Sequence, residues 1–340
     1  MKKRIWLPFS LVMLCGLVRA RGESAASRKS ESTPDAAYID VAAGTLWTEP
    51  RIHRTIDTPS LLNPADLRLW ISNMSVEDKL WLVGKLETQA LFGNKVMILE
   101  IQDDWVKVAV EGEPTPRNEL GYPGWLPKKQ LTFNKRMQRK SDQPFALVKD
   151  KTTWLYHNKK LTKRFIEISF NTQLPVVNWV KNAVKVITPS GGKKWISAGS
   201  VNIYKSFSDI PKPSADDIIH TAEQFLGLPY LWSGMSGFGF DCSGFAHNIY
   251  KHHGIIIPRD ASAQILKGKK VSKGDLQKGD LLFFAHQNGQ GAVHHVGIYY
   301  GRDKMIHSPN SRSSIEILDD IWQSSYAPEY AGARRYLENK

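Results

Sequence analysis

Cysteine is nearly absent from this chain: two in 340 residues, Cys15 and Cys242. So few cannot build a disulfide framework, and the fold must rest on packed cores. Apolar runs long enough to cross a membrane are lacking as well. The stretch from Ile5 to Val18 falls short of the roughly 20 residues a spanning helix needs. Preceded by Lys2-Lys3-Arg4, it has the charged and apolar parts of a secretory leader, with Val18-Arg19-Ala20 as a cleavage site. Residues 1–20 are therefore expected to be removed and the protein exported to the periplasm, the envelope or the medium. Leu14 is bulky where a lipoprotein signal needs a small residue, which argues against acylation of Cys15. Residues 21–35, rich in Ser, Glu, Arg and Lys, read as a disordered tail. One thiol is left.

Nucleic-acid-binding motifs are also missing, although the formal charge is +13. Lys2, Lys3, Arg4 and Arg19 carry part of it and belong to the leader. From Lys212 onward 14 basic residues nearly cancel 13 acidic ones, so the excess lies in between. Basic character without a motif is poor support for a nucleic-acid partner. Two readings stay open for the basic region: a solvated lysine-rich surface, or a weak hold on an anionic envelope polymer.

The remaining thiol sits in Phe240-Asp241-Cys242-Ser243-Gly244-Phe245. Most free cysteines are small buried hydrophobes. Here the flanks are residues of a turn or a helix start, and Phe245 to Tyr250 continues as a helix. A thiol on a first helical turn feels the positive end of the dipole, which is expected to lower its pKa and favour the thiolate. His294-His295-Val296-Gly297-Ile298-Tyr299-Tyr300 has the composition of a strand, and Met305-Ile306-His307 is a second one ending before Pro309. Alternation puts His295, Gly297 and Tyr299 on one face, with Gly297 leaving the His295 face open to a ligand. A neutral His307 could accept the other ring N–H of His295 and fix its tautomer. These are the three parts of a nucleophile, base and orienting group.

The segment Leu226-Gly227-Leu228-Pro229-Tyr230-Leu231-Trp232-Ser233-Gly234, the Asp-Cys-Ser-Gly turn, His295-Val-Gly-Ile-Tyr and Ile306-His307-Ser308 together resemble the NlpC-type papain-like cell-wall peptidases. The similarity spans roughly residues 213–337, with the motifs in the family order. It implies a murein peptidase with Cys242 as nucleophile, His295 as base, His307 as orienting residue and Tyr230 assisting the oxyanion. The family usually has Gly-Gly after the Trp-containing motif, and Ser233-Gly234 stands there instead.

Ahead of that region lies an imperfect repeat. One copy opens with Val41 to Trp47 and closes with Gly121 to Leu126. The other opens with Val148 to Leu155 and closes with Gly191 to Ile196. Short alternating strands such as Lys95–Glu100 and Trp105–Val108, with Gly and Asp turns, imply small barrels. Both copies resemble bacterial SH3-like modules, at residues 36–138 and 143–208. The first carries an insertion at about 63–83 that reads as two short helices, capped by Asn63 and Ser75.

Two such modules, the insertion, Lys85-Leu86-Glu87-Thr88-Gln89-Ala90-Leu91 and Gly121-Tyr122-Pro123-Gly124-Trp125 resemble the YkfC-type γ-D-glutamyl-L-diamino acid endopeptidases. That resemblance implies a first module bordering the active site, with Glu87, Tyr122 and Asp260 around the ammonium of a free N-terminal L-Ala. It also puts Trp232, Asp241, Ser243, Ser262 and His294 along the substrate groove. Two carboxylates and a phenol can satisfy a desolvated ammonium, whereas a glycan-linked amide lacks the charge. Pairing with Arg259 or capping the following helix are the other readings of Asp260.

The expectation is an α+β, papain-like NlpC-type catalytic domain preceded by two SH3-like β-barrels. It would cut L-Ala-γ-D-Glu-diamino acid between D-Glu and the diamino acid, as a monomer. An amidase or acyl transferase of the same fold, or a non-catalytic wall-binding protein, are the alternatives. Neither metal nor other cofactor is expected, and His252-His253 read as surface or helix-end residues rather than ligands.

Overall fold

The computed structural model describes residues 35–138 and 143–338. The leader, Cys15 and nearly all of the N-terminal tail lie outside them. The described residues fall within one compact unit.

Both halves of the sequence repeat become seven-stranded antiparallel sheets. Counted along its own segment, each sheet has the spatial order 3-2-6-5-4-1-7. The first sheet runs from Ala36–Ile39 to Leu131–Thr132, the second from Phe145–Val148 to Val201–Tyr204. Alternation explains the curl of each sheet around an apolar lining. Val96, Val106, Val108 and Val110 meet Ile39, Leu46 and Leu126 in the first. Leu155, Ile168, Val184, Val186 and Ile196 do the same in the second.

The insertion in the first module is more helical than expected, with turns at Thr55–Asp57 and Thr58–Leu61 before Leu67–Asn73 and Val76–Trp81. Ser75 caps the last helix through a reciprocal box with Asp78. Asn63 does not cap. Asp66 accepts from the Leu69 N–H instead, and Asn63 donates to the Lys129 carbonyl. Both residues are cap formers, and the intervening Pro64-Ala65 carries the helix start past Asn63. Buried Asp57 accepts from Arg54 and from Trp70 Nε1, fixing the insertion around Trp70.

The C-terminal part is α+β. A six-stranded antiparallel sheet takes the order Lys269–Val271, Tyr330–Arg335, Leu281–Ala285, Val293–Gly301, Lys304–His307, Glu316–Leu318. Helices Ala215–Glu223 and Cys242–His252 pack on one face of it, with Phe245 and Ile249 against Phe283, Val296 and Ile298.

Both barrels grip this part at the loop leading into the second helix. Ser233 Oγ donates to the Leu86 carbonyl at 3.0 Å, and Gln89 Oε1 accepts from the Met235 N–H and Ser236 Oγ. Leu231 and Phe238 are buried among Trp47, Trp70 and Trp125 of the first module. Ser233 has φ +59°, the left-handed conformation that glycine adopts freely. That accounts for the family's glycine there, and the bond to Leu86 offsets the serine's strain. The second barrel donates Asn171 Nδ2 to the Asn248 carbonyl, while Ser169 Oγ receives the Gly237 N–H. His252 and His253 are not surface residues. His252 stacks on Phe170 and bonds Asn171 through Nδ1, and His253 Nε2 lies 2.8 Å from Thr221 Oγ1. Burial pushes His252 down to about 3, so it is a neutral packing group at the junction.

Candidate active site

Cys242 is the first residue of its helix, with Asp241 as N-cap accepting the Gly244 N–H at 2.6 Å. The backbone N–H groups of Val296 and Ser243 act to lower the thiol's pKa, Val296 being the residue that follows His295. The expected depression of its pKa does not appear. Burial, followed by the neighbouring Asp241 carboxylate, pushes the thiol up to about 12. The helix start supplies N–H groups, but desolvation of a sulfur anion outweighs them. Cys242 therefore rests as a neutral thiol.

His295 Nε2 lies 2.8 Å from His307 Nδ1. His307 Nε2 has Glu316 Oε1 3.7 Å away, which favours the proton on that nitrogen. His307 Nδ1 then accepts from His295 Nε2–H, and the lone pair of His295 sits on Nδ1. Burial, with His307 and His294 adding to it, holds His295 well below its ordinary pKa, and burial holds His307 at about 4. Both imidazoles are neutral at pH 7, as a base must be. Tyr326 stacks on His295 with ring centroids 4.9 Å apart and stands edge-on to His307. Gly297 serves a different end from the one expected. A Cβ there would meet Met305 Sδ at 2.7 Å and His307 Cβ at 3.2 Å, so the glycine makes room for the orienting histidine rather than for a ligand.

Tyr230 is buried, and burial together with Cys242 and Asp241 raises its pKa well above the ordinary value, keeping a neutral O–H donor near the thiol. The Trp232 indole N–H is buried and has no partner among the described residues. Asp241 and Ser243 are engaged by the protein itself. Arg259 Nη2 donates to Asp241 Oδ2 at 2.7 Å, and Nη1 reaches Asp241 Oδ1 and Ser243 Oγ. Through these bonds both residues brace the helix start. Arg259 Nε continues to Thr88 Oγ1 of the first barrel, whose hydroxyl donates to buried Glu113.

Tyr122 of the first barrel donates its hydroxyl proton to Asp260, at 2.9 Å from Oδ2 and 3.2 Å from Oδ1. Neither of the other readings of Asp260 holds. Arg259 turns to Asp241, and the Asp260 side chain makes no cap bond to the helix Ala261–Gln264. Burial raises its pKa, with Arg259 and Tyr122 opposing. Glu87 stands on the same side of the site, paired with Arg117, which also donates to the Tyr122 hydroxyl. Ser262 is exposed on its short helix. His294 is engaged by Glu329 at 3.1 Å and stacked on His286. It occupies a bulge, since Phe284 pairs His295 while Ala285 pairs Val293. His286, His294 and Glu329 bring ligand atoms within 4.8 Å of one another, the one such trio among the described residues. The thiol and imidazoles do not depend on it.

Comparison with known proteins bears on this arrangement. Residues 227–335 match the NlpC/P60 family, 148–204 the YKFC SH3b2 domain and 84–131 the bacterial dipeptidyl-peptidase Sh3 domain. A "Gamma-D-glutamyl-L-lysine dipeptidyl-peptidase" of Bacillus cereus is 52% identical over 309 residues, covering 90% of this chain and 92% of that one. The chain belongs to the NlpC/P60 family. A protein of the same name from Bacillus subtilis is 40% identical over 296 residues, covering 86% and 96%. A crystal structure of an NlpC/P60 family protein from Bacillus cereus superposes with a TM-score of 0.86 at 52% identity, over 89% of this chain and all of that one. The fold and family expected from the sequence hold.

Several members of the site escaped sequence reasoning. Arg117, Thr88 and Glu113 come from the barrel, Glu316 and Tyr326 from beyond the histidine strands. A buried arginine next to an N-cap aspartate, as in Arg259 and Asp241, carries no local pattern, because 18 residues separate them.

Proposed function

We propose that this NlpC/P60 protein is an exported cysteine peptidase that hydrolyses the γ-D-Glu–diamino acid bond of murein stem peptides bearing a free N-terminal L-Ala. The relatives' name, with L-lysine at the diamino position, supports the reaction class and bond. One observation carries the free-amine requirement: the first barrel's Tyr122 meets Asp260, a largely buried carboxylate that makes no salt bridge among the described residues while Arg259 turns its guanidinium to Asp241. Such a group asks for an incoming cation, and a peptide's α-ammonium is one. The leader over residues 1–20 supports export, and the basic surface of the barrels supports weak contact with an anionic wall polymer.

In the reaction Cys242 Sγ attacks the D-Glu γ-carbonyl carbon as its proton passes to His295 Nδ1. The tetrahedral oxyanion is received by the Cys242 backbone N–H and the Tyr230 hydroxyl. Imidazolium His295 then protonates the leaving amine of the diamino acid, and the C–N bond breaks to give a thioester. A water that loses its proton to His295 attacks this carbonyl, releasing L-Ala-D-Glu and restoring the thiol.

The test compares L-Ala-γ-D-Glu-L-Lys with its N-acetyl form and with intact sacculi. Acetylation leaves Asp260 facing a neutral amide, so kcat/KM is expected to fall by about two orders of magnitude or more. Equal rates on all three would make the protein a general wall hydrolase.

A further inference from the structure

The groups that would receive the substrate's ammonium already surround a cation of the chain's own. Arg117 lies in the loop between strands Trp105–Val110 and Tyr122–Pro127. Its guanidinium engages both oxygens of Glu87, with Nη2 donating to Oε1 at 2.8 Å and Nη1 to Oε2. Nη1 also donates to the Tyr122 hydroxyl at 3.1 Å, and the group stands 5.3 Å from the Tyr122 ring centroid. Tyr122 in turn gives its proton to Asp260. Glu87 and Tyr122 thus both turn to Arg117, and Asp260 is reached only through the phenol.

The loop is fixed at its base and free at its tip. Glu113 is buried against Thr88, and the Pro114 carbonyl receives the Arg259 N–H. Beyond that, the segment holds itself through local turns, with Arg117 N to Thr115 Oγ1, Leu120 N to Asn118 Oδ1 and Gly121 N to the Asn118 carbonyl. The Arg117 side chain is 44% exposed, against 12% for Glu87. The guanidinium faces water on one side, so it can swing outward at the cost of its pair with Glu87 and its place beside the Tyr122 ring.

We propose that Arg117 is a displaceable internal cation, filling the amine pocket of the free enzyme until the substrate's α-ammonium exchanges for it. The inference rests on the free-amine reading above. The chemistry of the two cations supports the exchange. An ammonium has three N–H groups around one point and can serve Glu87, the Tyr122 oxygen and Asp260 together. The planar fork of Arg117 meets the first two from the barrel side and leaves Asp260 without a cation. A peptide with a neutral N-terminus brings no charge to take the place of Arg117, so the pocket stays filled. Discrimination against acylated stems then arises from failure to displace Arg117, and not only from the carboxylates behind it.

The test uses the full chain made inactive by Cys242→Ser and titrated calorimetrically with L-Ala-γ-D-Glu. Adding Arg117→Ala is expected to tighten binding by about three- to ten-fold, the scale of a half-exposed ion pair. Arg117→Lys, which keeps a competing charge, stays near the parent. In the active enzyme Arg117→Ala lowers KM by the same factor. Equal or weaker binding by the alanine variant overturns the proposal, since Arg117 would then organise the pocket or read a carboxylate of the peptide. A second readout does not depend on removing the side chain. The Nη resonances of Arg117, assigned by their loss in Arg117→Lys, should be resolved in the free protein and vanish into rapid exchange at saturating dipeptide. Their persistence would equally overturn it. A parent protein that shows these resonances but ignores the dipeptide would sink the substrate reading, and the exchange with it.

Discussion

The proposed nucleophile, Cys242, would gain its reactivity from its neighbours at the moment of attack and not from a standing charge. A thiol pushed up to about 12 beside a neutral His295 cannot exist as an ion pair in the resting site. Alkylation of Cys242 by iodoacetamide should accordingly be slow at pH 6 and keep accelerating past pH 9, read by mass spectrometry. A rate already at its plateau below pH 7 would restore the thiolate expected from the helix dipole. The two histidines should also separate. His295→Ala removes the proposed base, and Cys242→Ser the proposed nucleophile; both should abolish turnover with the fold intact. His307→Ala leaves base and nucleophile present and loses the tautomer lock, so kcat should fall by a smaller factor, about 10²-fold. Loss as complete as that of His295→Ala would give His307 a direct part in proton transfer.

At the scale of elements, the strand pair carrying the two histidines is fitted to one glycine. Gly297→Ala drives a methyl to 2.7 Å from Met305 Sδ and 3.2 Å from His307 Cβ. Met305 is flexible and can yield; the His307 backbone position cannot without changing its 2.8 Å contact to His295. Activity should therefore fall by about tenfold or more while stability drops by only about 1–2 kcal/mol. An alanine variant with normal kcat would show that the strand absorbs the methyl elsewhere. Elements of this kind were legible in sequence where the signal is local. Asp241 before Cys242, and Ser75 three residues before Asp78, name helix starts by chemistry alone. The alternation that predicted the histidine strands is also local, but the bulge at His294 is not, because it depends on how Ala285 and Phe284 pair. Contacts between modules were out of reach altogether. His252 does end its helix, but the surface position also expected of it is closed over by Asn171 and Phe170, 81 and 82 residues earlier. The pairing of Glu87 with Arg117, 30 residues on, was equally out of reach, because the two have no periodic relation.

For the whole molecule, the junction of first barrel and peptidase is polar at its centre, and one of its groups titrates close to neutrality. Glu113 of the barrel is buried against Thr88, near Lys251 and Arg259 of the peptidase. Burial pushes Glu113 up to about 7, and burial also lowers Lys251. In the unfolded chain Glu113 would ionise around 4.5. Between those values the folded protein holds a proton that the unfolded chain has released. Glu113 therefore favours folding most below pH 4.5, and that contribution declines as pH rises through about 7. At about 1.4 kcal/mol per unit the change across the window is on the order of 3 kcal/mol. Glu113→Gln has no such proton. Urea denaturation of both proteins at pH 5 and pH 8 should show the wild type losing stability relative to the variant by that order as pH rises. Because the barrels and the peptidase interlock through Gln89, Ser233 and Arg259, the loss should appear in the cooperative transition of the whole chain. A difference between the two proteins that stays constant from pH 5 to pH 8 would mean that Glu113 stays ionised against Lys251 throughout, a buried ion pair tying barrel to catalytic helix.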